Sequence, residues 1–233
     1  MPYKADVGAP RILVFDVNET LLNVNALRPL FEHAFGDGAV LKEWFANTLL
    51  YSQSATLAGP YADFTMIARH ALRMTANARA LHLSEQDADS ILAGMRTLPA
   101  HPDAPAALQR LHQSGFRLMA LTNSPQPVAE AQIQAANLAQ MFERIFSVDS
   151  VRKYKPHPET YQYVADDLKT TTSELTMIAA HPWDLMGARA AGCNVAFLER
   201  PGTPWFHLTP KPKISGATLE EVATQLISLS TNP

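Results

Sequence analysis

Arg11-Ile12-Leu13-Val14-Phe15-Asp16-Val17-Asn18-Glu19-Thr20-Leu21-Leu22 is an apolar strand that delivers a single carboxylate into a turn closed by a threonine. A run as uniformly apolar as Ile12 to Phe15 is expected inside a parallel sheet, with both of its faces covered. Its side chains then first meet solvent at the carboxyl end, which is where ligands bind in open α/β sheets. Asp16 stands at that end. Taken alone, the segment suits a nucleophile and a helix N-cap equally well.

Three later segments each end an apolar stretch in polar residues of a useful type. Leu118-Met119-Ala120-Leu121 runs into Thr122-Asn123-Ser124, and Ile145-Phe146-Ser147-Val148 leads towards Lys155-Pro156. Leu175-Thr176-Met177-Ile178-Ala179-Ala180 runs into His181-Pro182-Trp183-Asp184. Between the first strand and these the texture changes. From about Leu27 to Met95 apolar residues recur at helical spacing: Leu27, Leu30, Phe31 and Ala34; Leu41, Trp44, Phe45 and Leu49; then Phe64, Ile67, Ala68, Ala71 and Leu72. Ser84 with Glu85 and Asp87 forms an N-cap and an acidic first turn, opening a further helix. From Pro99 onward strands and helices alternate, with a helix through Ala106 to Leu111 stopped at Gly115, a strand to Leu121 and a helix after Ser124. That alternation implies βαβ units and a parallel sheet, split by a helical insert.

Composition limits the partners. A chain of 233 residues with 47% hydrophobic and 18% charged content can bury a sizeable core, and disorder is not expected. A net charge of -3, with no window rich in Lys and Arg, argues against a nucleic-acid partner. Cys193, the one cysteine, cannot form an internal disulfide, and its apolar run Cys193 to Leu198 suits a buried inert thiol. Met1 to Asp6 has no apolar signal-type core, and no stretch reaches the ~18 apolar residues of a membrane span. A cytoplasmic protein is expected, without a membrane partner; a homodimer stays open.

In chain order the four strand ends supply a carboxylate, a hydroxyl with an amide, an ammonium and a second carboxylate. This pattern resembles the haloacid dehalogenase superfamily, whose four motifs carry these residue types in this order, and the resemblance covers most of the chain. It implies an α/β fold with a Rossmann-like parallel-sheet core, residues 10–24 and 97–230, and a helical cap domain inserted at 25–96. A cap that closes over Asp16 would exclude water and sharpen the electrostatics there.

Asn18 selects the branch. Mg-dependent phosphatases of this superfamily need a second aspartate two residues after the nucleophile, as the acid for a leaving alkoxide. Asn18 cannot deliver a proton, and a halide, the conjugate base of a strong acid, leaves without one. Asp184 also has no acidic neighbour, so Asp16 and Asp184 make a poor site for a hard cation. The chain thus resembles the type II (L-2-haloacid) dehalogenases, for which neither metal nor other cofactor is expected.

The resemblance implies the roles. Asp16 displaces halide from the carbon α to a carboxyl group and forms an ester that water cleaves at the carboxyl carbon. Lys155 is the counter-ion that keeps Asp16 ionised, Asp184 fixes Lys155 or orients the water, and Thr20 holds the turn. Substrate contacts are expected from Val17 and Asn18 in the turn, from Thr122 and Asn123, for which N-capping is the rival reading, and from Tyr161 and His181. Five positions depart from the family. Phe45 follows Trp44 where better-known dehalogenases have a halide-holding arginine, and its ring forfeits a charge-assisted hydrogen bond. The fourth motif, usually S-S-N-x-W-D, is Ala179-Ala180-His181-Pro182-Trp183-Asp184, and Glu19 stands where glycine is usual. His181 can serve the halide or the hydrolytic water, or be held by backbone alone. The expected function is hydrolytic, metal-independent dehalogenation of a small 2-haloalkanoic acid. The alternatives are a Mg-dependent phosphatase-type hydrolase of the same superfamily and a catalytically silent small-molecule binding homologue.

Overall fold

The computed structural model describes residues 11–231, so Met1 to Asp6, read above for signal character, lie outside them. Among the described residues six parallel strands form one sheet: β1 (Ile12–Phe15), β2 (Arg117–Thr122), β3 (Arg144–Ser147), β4 (Leu175–Ala179), β5 (Asn194–Leu198) and β6 (Ile214–Gly216). Their order across the sheet is β3-β2-β1-β4-β5-β6. All four residues of β1 are buried, as its unbroken apolar run requires. The chain leaves β1 for β2 and β3 on one side, then crosses to β4, β5 and β6 on the other. The strand order reverses between β1 and β4, and the crevice at their carboxyl ends is where such sheets bind ligands. Phe15 is in register with Ala120 of β2 and Ile178 of β4, so Asp16 emerges beside the ends of both neighbours.

Helices α1 (Arg28–Phe35), α2 (Val40–Ala58), α3 (Phe64–Ala78) and α4 (Glu85–Gly94) all fall between β1 and β2. α1 ends on Gly36 at φ 71°, a left-handed cap that glycine adopts without a Cβ clash. Trp44 of α2 donates its indole N–H to the Ala68 carbonyl of α3 at 2.9 Å and packs on Phe31 of α1. α3 starts where the Asp63 side chain accepts from the Met66 N–H, and α4 where Ser84 accepts from the Asp87 N–H, the cap seen in the sequence.

The remaining helices cover the sheet: α5 (Ala104–Gln113), α6 (Gln126–Ala135), α7 (Pro158–Asp167), α8 (Pro182–Ala190) and α9 (Leu219–Thr231). Cys193 is buried just ahead of β5, and burial pushes its thiol up to about 12. No helix among the described residues is long and apolar enough to cross a membrane.

Candidate active site

Asp16, one residue past β1, is 5% exposed and has both carboxylate oxygens engaged. The Lys155 ammonium donates to Oδ1 at 2.7 Å, and the Thr20 hydroxyl donates to Oδ2 at 2.6 Å. Thr20 in turn accepts from the Ala180 N–H at 2.9 Å, which ties the turn after β1 to the end of β4. Arg200 supports the same turn from outside by donating twice to the Thr20 carbonyl, at 3.0 and 3.2 Å, while its remaining arm holds Asp103.

Lys155 is fully buried, and its three protons are all placed: on Asp16, on Asp184 Oδ2 at 2.7 Å and on the Leu121 carbonyl at 3.0 Å. Asp184, in the first turn of α8, has its other oxygen 2.6 Å from the Tyr161 hydroxyl of α7. Close packing fixes this group. A Cβ on Gly187 of α8 would lie 2.3 Å from Pro156 Cβ, so only glycine lets α8 approach the Lys155-Pro156 segment.

Two carboxylates share one ammonium, and their environments divide them. Burial opposes ionisation of Asp16, but the Lys155 charge, the nearby His181 and hydrogen bonds from Lys155 and Thr20 outweigh it and hold the carboxyl below its usual range. At Asp184 burial prevails, with repulsion from Asp16 added, and raises the carboxyl despite Lys155 and Tyr161. Asp16 is therefore the harder of the pair to protonate, and Asp184 takes up a proton first as pH falls. Lys155 is held protonated: burial disfavours its charge, and the two carboxylates more than offset this.

The predicted substrate contacts divide. The Thr122 hydroxyl accepts from the Ser124 N–H at 3.1 Å, and the Asn123 side-chain oxygen accepts from the Lys155 N–H at 3.1 Å. Neither caps α6, whose N-cap position is Pro125 without a side-chain bond. The Thr122 hydroxyl oxygen thus shapes the loop, and the Asn123 amide oxygen holds the Lys155 backbone. Asn18 turns towards α6, donating to Ser124 Oγ at 3.3 Å and accepting from Gln132 at 3.0 Å; Gln132 also donates to the Met95 carbonyl at 2.8 Å. Phe45 is buried with its ring centre 6.5 Å from that of His181, which stacks on Trp183 at 5.1 Å.

His181 Nε2 lies 3.3 Å from Glu19 Oε2 and 4.0 Å from Asp16 Oδ2. Glu19 reaches it from a left-handed backbone conformation, φ 62°, that costs a residue with a Cβ about 1 kcal/mol or more. Burial pushes the Glu19 carboxyl above its usual value against the pull of His181, and the charge of Asp16 adds to the rise. The imidazole and Glu19 lie on the Oδ2 side of Asp16, whereas Lys155 bonds Oδ1.

Residues 10–192 match the family described as haloacid dehalogenase-like hydrolase. The chain belongs to that family. Among curated relatives of this haloacid dehalogenase-like hydrolase, (S)-2-haloacid dehalogenase 1 of Pseudomonas sp. (strain CBS-3) is 30% identical over 224 residues, covering 94% of this chain and 98% of the relative. (S)-2-haloacid dehalogenase 4A of Burkholderia cepacia is 31% identical over 202 residues, covering 85% and 87%. The solved L-2-haloacid dehalogenase of Xanthobacter autotrophicus superposes with a TM-score of 0.87 at 25% identity, covering 93% of this chain and 98% of that one.

Membership of the haloacid dehalogenase-like hydrolases makes the protein a hydrolase with the α/β fold that its sequence implied. Sequence reasoning did not single out Ser124, Gln132 or Arg200. The first stood in a quoted motif and could have been weighed by its hydroxyl, whereas the other two are recruited by the fold with no local signal.

Proposed function

We propose that this hydrolase cleaves the carbon–halogen bond of a small 2-haloalkanoic acid through an ester on Asp16, without a metal. The observation that carries this reading is Asp16 itself, a buried carboxylate kept ionised by Lys155 and Thr20 at the sheet's switch point. A nucleophile needs that charge, and burial strips away the water that would blunt it. Residues 25–96 act as a cap over it, bringing Phe45 against His181. Backbone N–H groups of Val17 and Asn18 in the turn after β1 supply donors for the substrate carboxylate. Asn18, held by Ser124 and Gln132, has no acidic proton to give an alkoxide, which argues against phosphate-ester chemistry. The donor set also fits a divalent cation poorly. Each oxygen of Asp16 and Asp184 is already engaged by Lys155, Thr20 or Tyr161.

Attack by Asp16 on C2 forms the ester bond and expels halide with the bonding pair. Water then adds to the Asp16 carboxyl carbon, the 2-hydroxy acid leaves, and the carboxylate is restored. Asp184 holds Lys155 and Tyr161 with its two oxygens, and in this reading the water is activated by His181. The imidazole nitrogen, 4.0 Å from Asp16, is the base for a water that approaches the carboxyl carbon, and Glu19 stabilises the imidazolium formed when the proton is taken.

Purified protein assayed on bromoacetate, chloroacetate, the 2-chloropropionate enantiomers and p-nitrophenyl phosphate, each with EDTA or with Mg²⁺, tests the reading. Turnover of 2-halo acids that survives EDTA is expected, faster for bromide because Phe45 offers the departing anion no charge-assisted donor. Phosphatase activity that requires Mg²⁺, with no halide released, would overturn it.

His181→Ala should leave ester formation near the wild-type rate and slow its hydrolysis, lowering kcat by about a hundredfold or more. Intact-mass measurement during turnover should then show the chain carrying the carboxyalkyl ester on Asp16 accumulating. If the variant is slow without accumulating ester, the imidazole serves halide departure instead.

A further inference from the structure

The loop that carries Lys155 is held by the helical segment as well as by the core. Tyr154, the residue before the lysine, donates its backbone N–H to Thr56 Oγ1 of α2 at 2.9 Å. Its hydroxyl donates to the Ala62 carbonyl at 2.5 Å, and its fully buried ring stacks on Tyr61 at 5.4 Å and packs on Phe64 at 6.0 Å. Tyr61 donates to Asp149 at the other end of the same loop, and the Arg152 guanidinium lies 5.0 Å over the Tyr61 ring. The next N–H along, that of Lys155, goes to Asn123 of the core. Successive amides at the catalytic lysine are therefore gripped from opposite sides, one by α2 and one by the end of β2.

We propose that Thr56, Tyr61 and Tyr154 are positioning residues that latch the cap to the Lys155 loop, so that docking of the cap and placement of the lysine on Asp16 are one event. This rests on the reading of residues 25–96 as a cap over a nucleophilic Asp16. Lys155 bonds Asp16 and Asp184 at 2.7 Å each, and a buried ammonium has little tolerance for displacement from two such partners. Releasing the cap leaves the Tyr154 N–H and hydroxyl without their acceptors, so the loop backbone keeps its bond to Asn123 but loses its hold on α2. The enzyme thereby assembles its full nucleophile when the site is covered and water is excluded.

Thr56→Val keeps the shape of the side chain and removes the acceptor for the Tyr154 N–H; Tyr61→Phe keeps the aromatic stack and removes the bond to Asp149. Neither residue contacts the reacting atoms. For each variant, hydrogen exchange at amides 149–157 should quicken while β1, β2 and β4 keep wild-type protection. In the same variants kcat should fall about tenfold with KM within about twofold, because the loss is in positioning rather than in substrate contact. The acid limb of kcat/KM should move to higher pH, since Asp16 with a loosened Lys155 is harder to ionise. Thr56→Ser should restore all three readouts. Wild-type exchange in the loop together with an unmoved acid limb in both variants would overturn the latch. If the wild-type protein releases no halide, the exchange arm still decides the latch, while the dehalogenase reading fails by itself.

Discussion

A single turnover in ¹⁸O-water with enzyme in excess is expected to leave ¹⁸O in the peptide containing Asp16, and inverted configuration at C2 of a chiral substrate. Both follow from a carboxylate rather than a water as the attacking group: the first product takes its new oxygen from the protein, and solvent oxygen enters the side chain when the ester is cleaved. The geometry supports this order. Asp16 is the member of the carboxylate pair held ionised, whereas Asp184 is raised by burial and by the charge of Asp16. Asp16→Asn should lower kcat by a factor on the order of 10⁴ to 10⁶, as loss of a nucleophile does elsewhere. It should also cost stability at neutral pH, because the depressed Asp16 carboxyl stabilises the folded state above its ordinary value of 3.8 and Lys155 loses one of its two buried partners. An unlabelled Asp16 peptide with ¹⁸O in the first-turnover product would exclude the nucleophile on which the other roles depend.

What the sequence made legible, and what it hid, divides along a physical line. β1 could be read because both its faces are buried, which leaves an unbroken apolar run with the carboxylate at its end. The helices before β2 could be read because each has one face to bury at a fixed period. Thr20 was legible as the turn's support and makes the bond expected of it. The contacts between loops carry no period. Glu19 and His181 meet because the sheet order sets the end of β1 beside the end of β4, and because Glu19 adopts a left-handed φ that its residue type does not advertise. For Thr122 and Asn123 residue type tells what a group can bond, not which partner the fold brings to it, and the loop brings backbone N–H groups to their side-chain oxygens. Tyr61 and Tyr154 sit outside helices and strands, so their stacking has no trace in any spacing rule.

Removing the ammonium should have the largest effect on folding. Lys155→Met preserves much of the side-chain volume but leaves Asp16 and Asp184 buried together without a counter-ion, and losing one partner of a buried ion pair costs about 3–5 kcal/mol. The pH dependence fixes the sign. In the wild-type chain Asp16 is depressed below its ordinary value of 3.8, so its contribution is present above that pH and is lost as pH falls through its lower folded value. Without Lys155 the burial that already opposes ionisation at both carboxyls meets no cation but His181, beside Asp16, and both should titrate above their ordinary values. The variant's folded state then favours the protonated forms: that contribution is complete below 3.8 and lost as pH rises through the raised folded values. Wild type and variant should accordingly differ most at neutral pH and converge on acidification, which denaturant unfolding of both chains from pH 7 to pH 4 will read. Activity should fall by a factor on the order of a thousand even where the variant is folded, since the protonated Asp16 has lost its nucleophilic charge. A variant as stable as wild type at pH 7 would mean that the two carboxyls already share a proton across Lys155, and the ionised Asp16 assigned here would have to be abandoned.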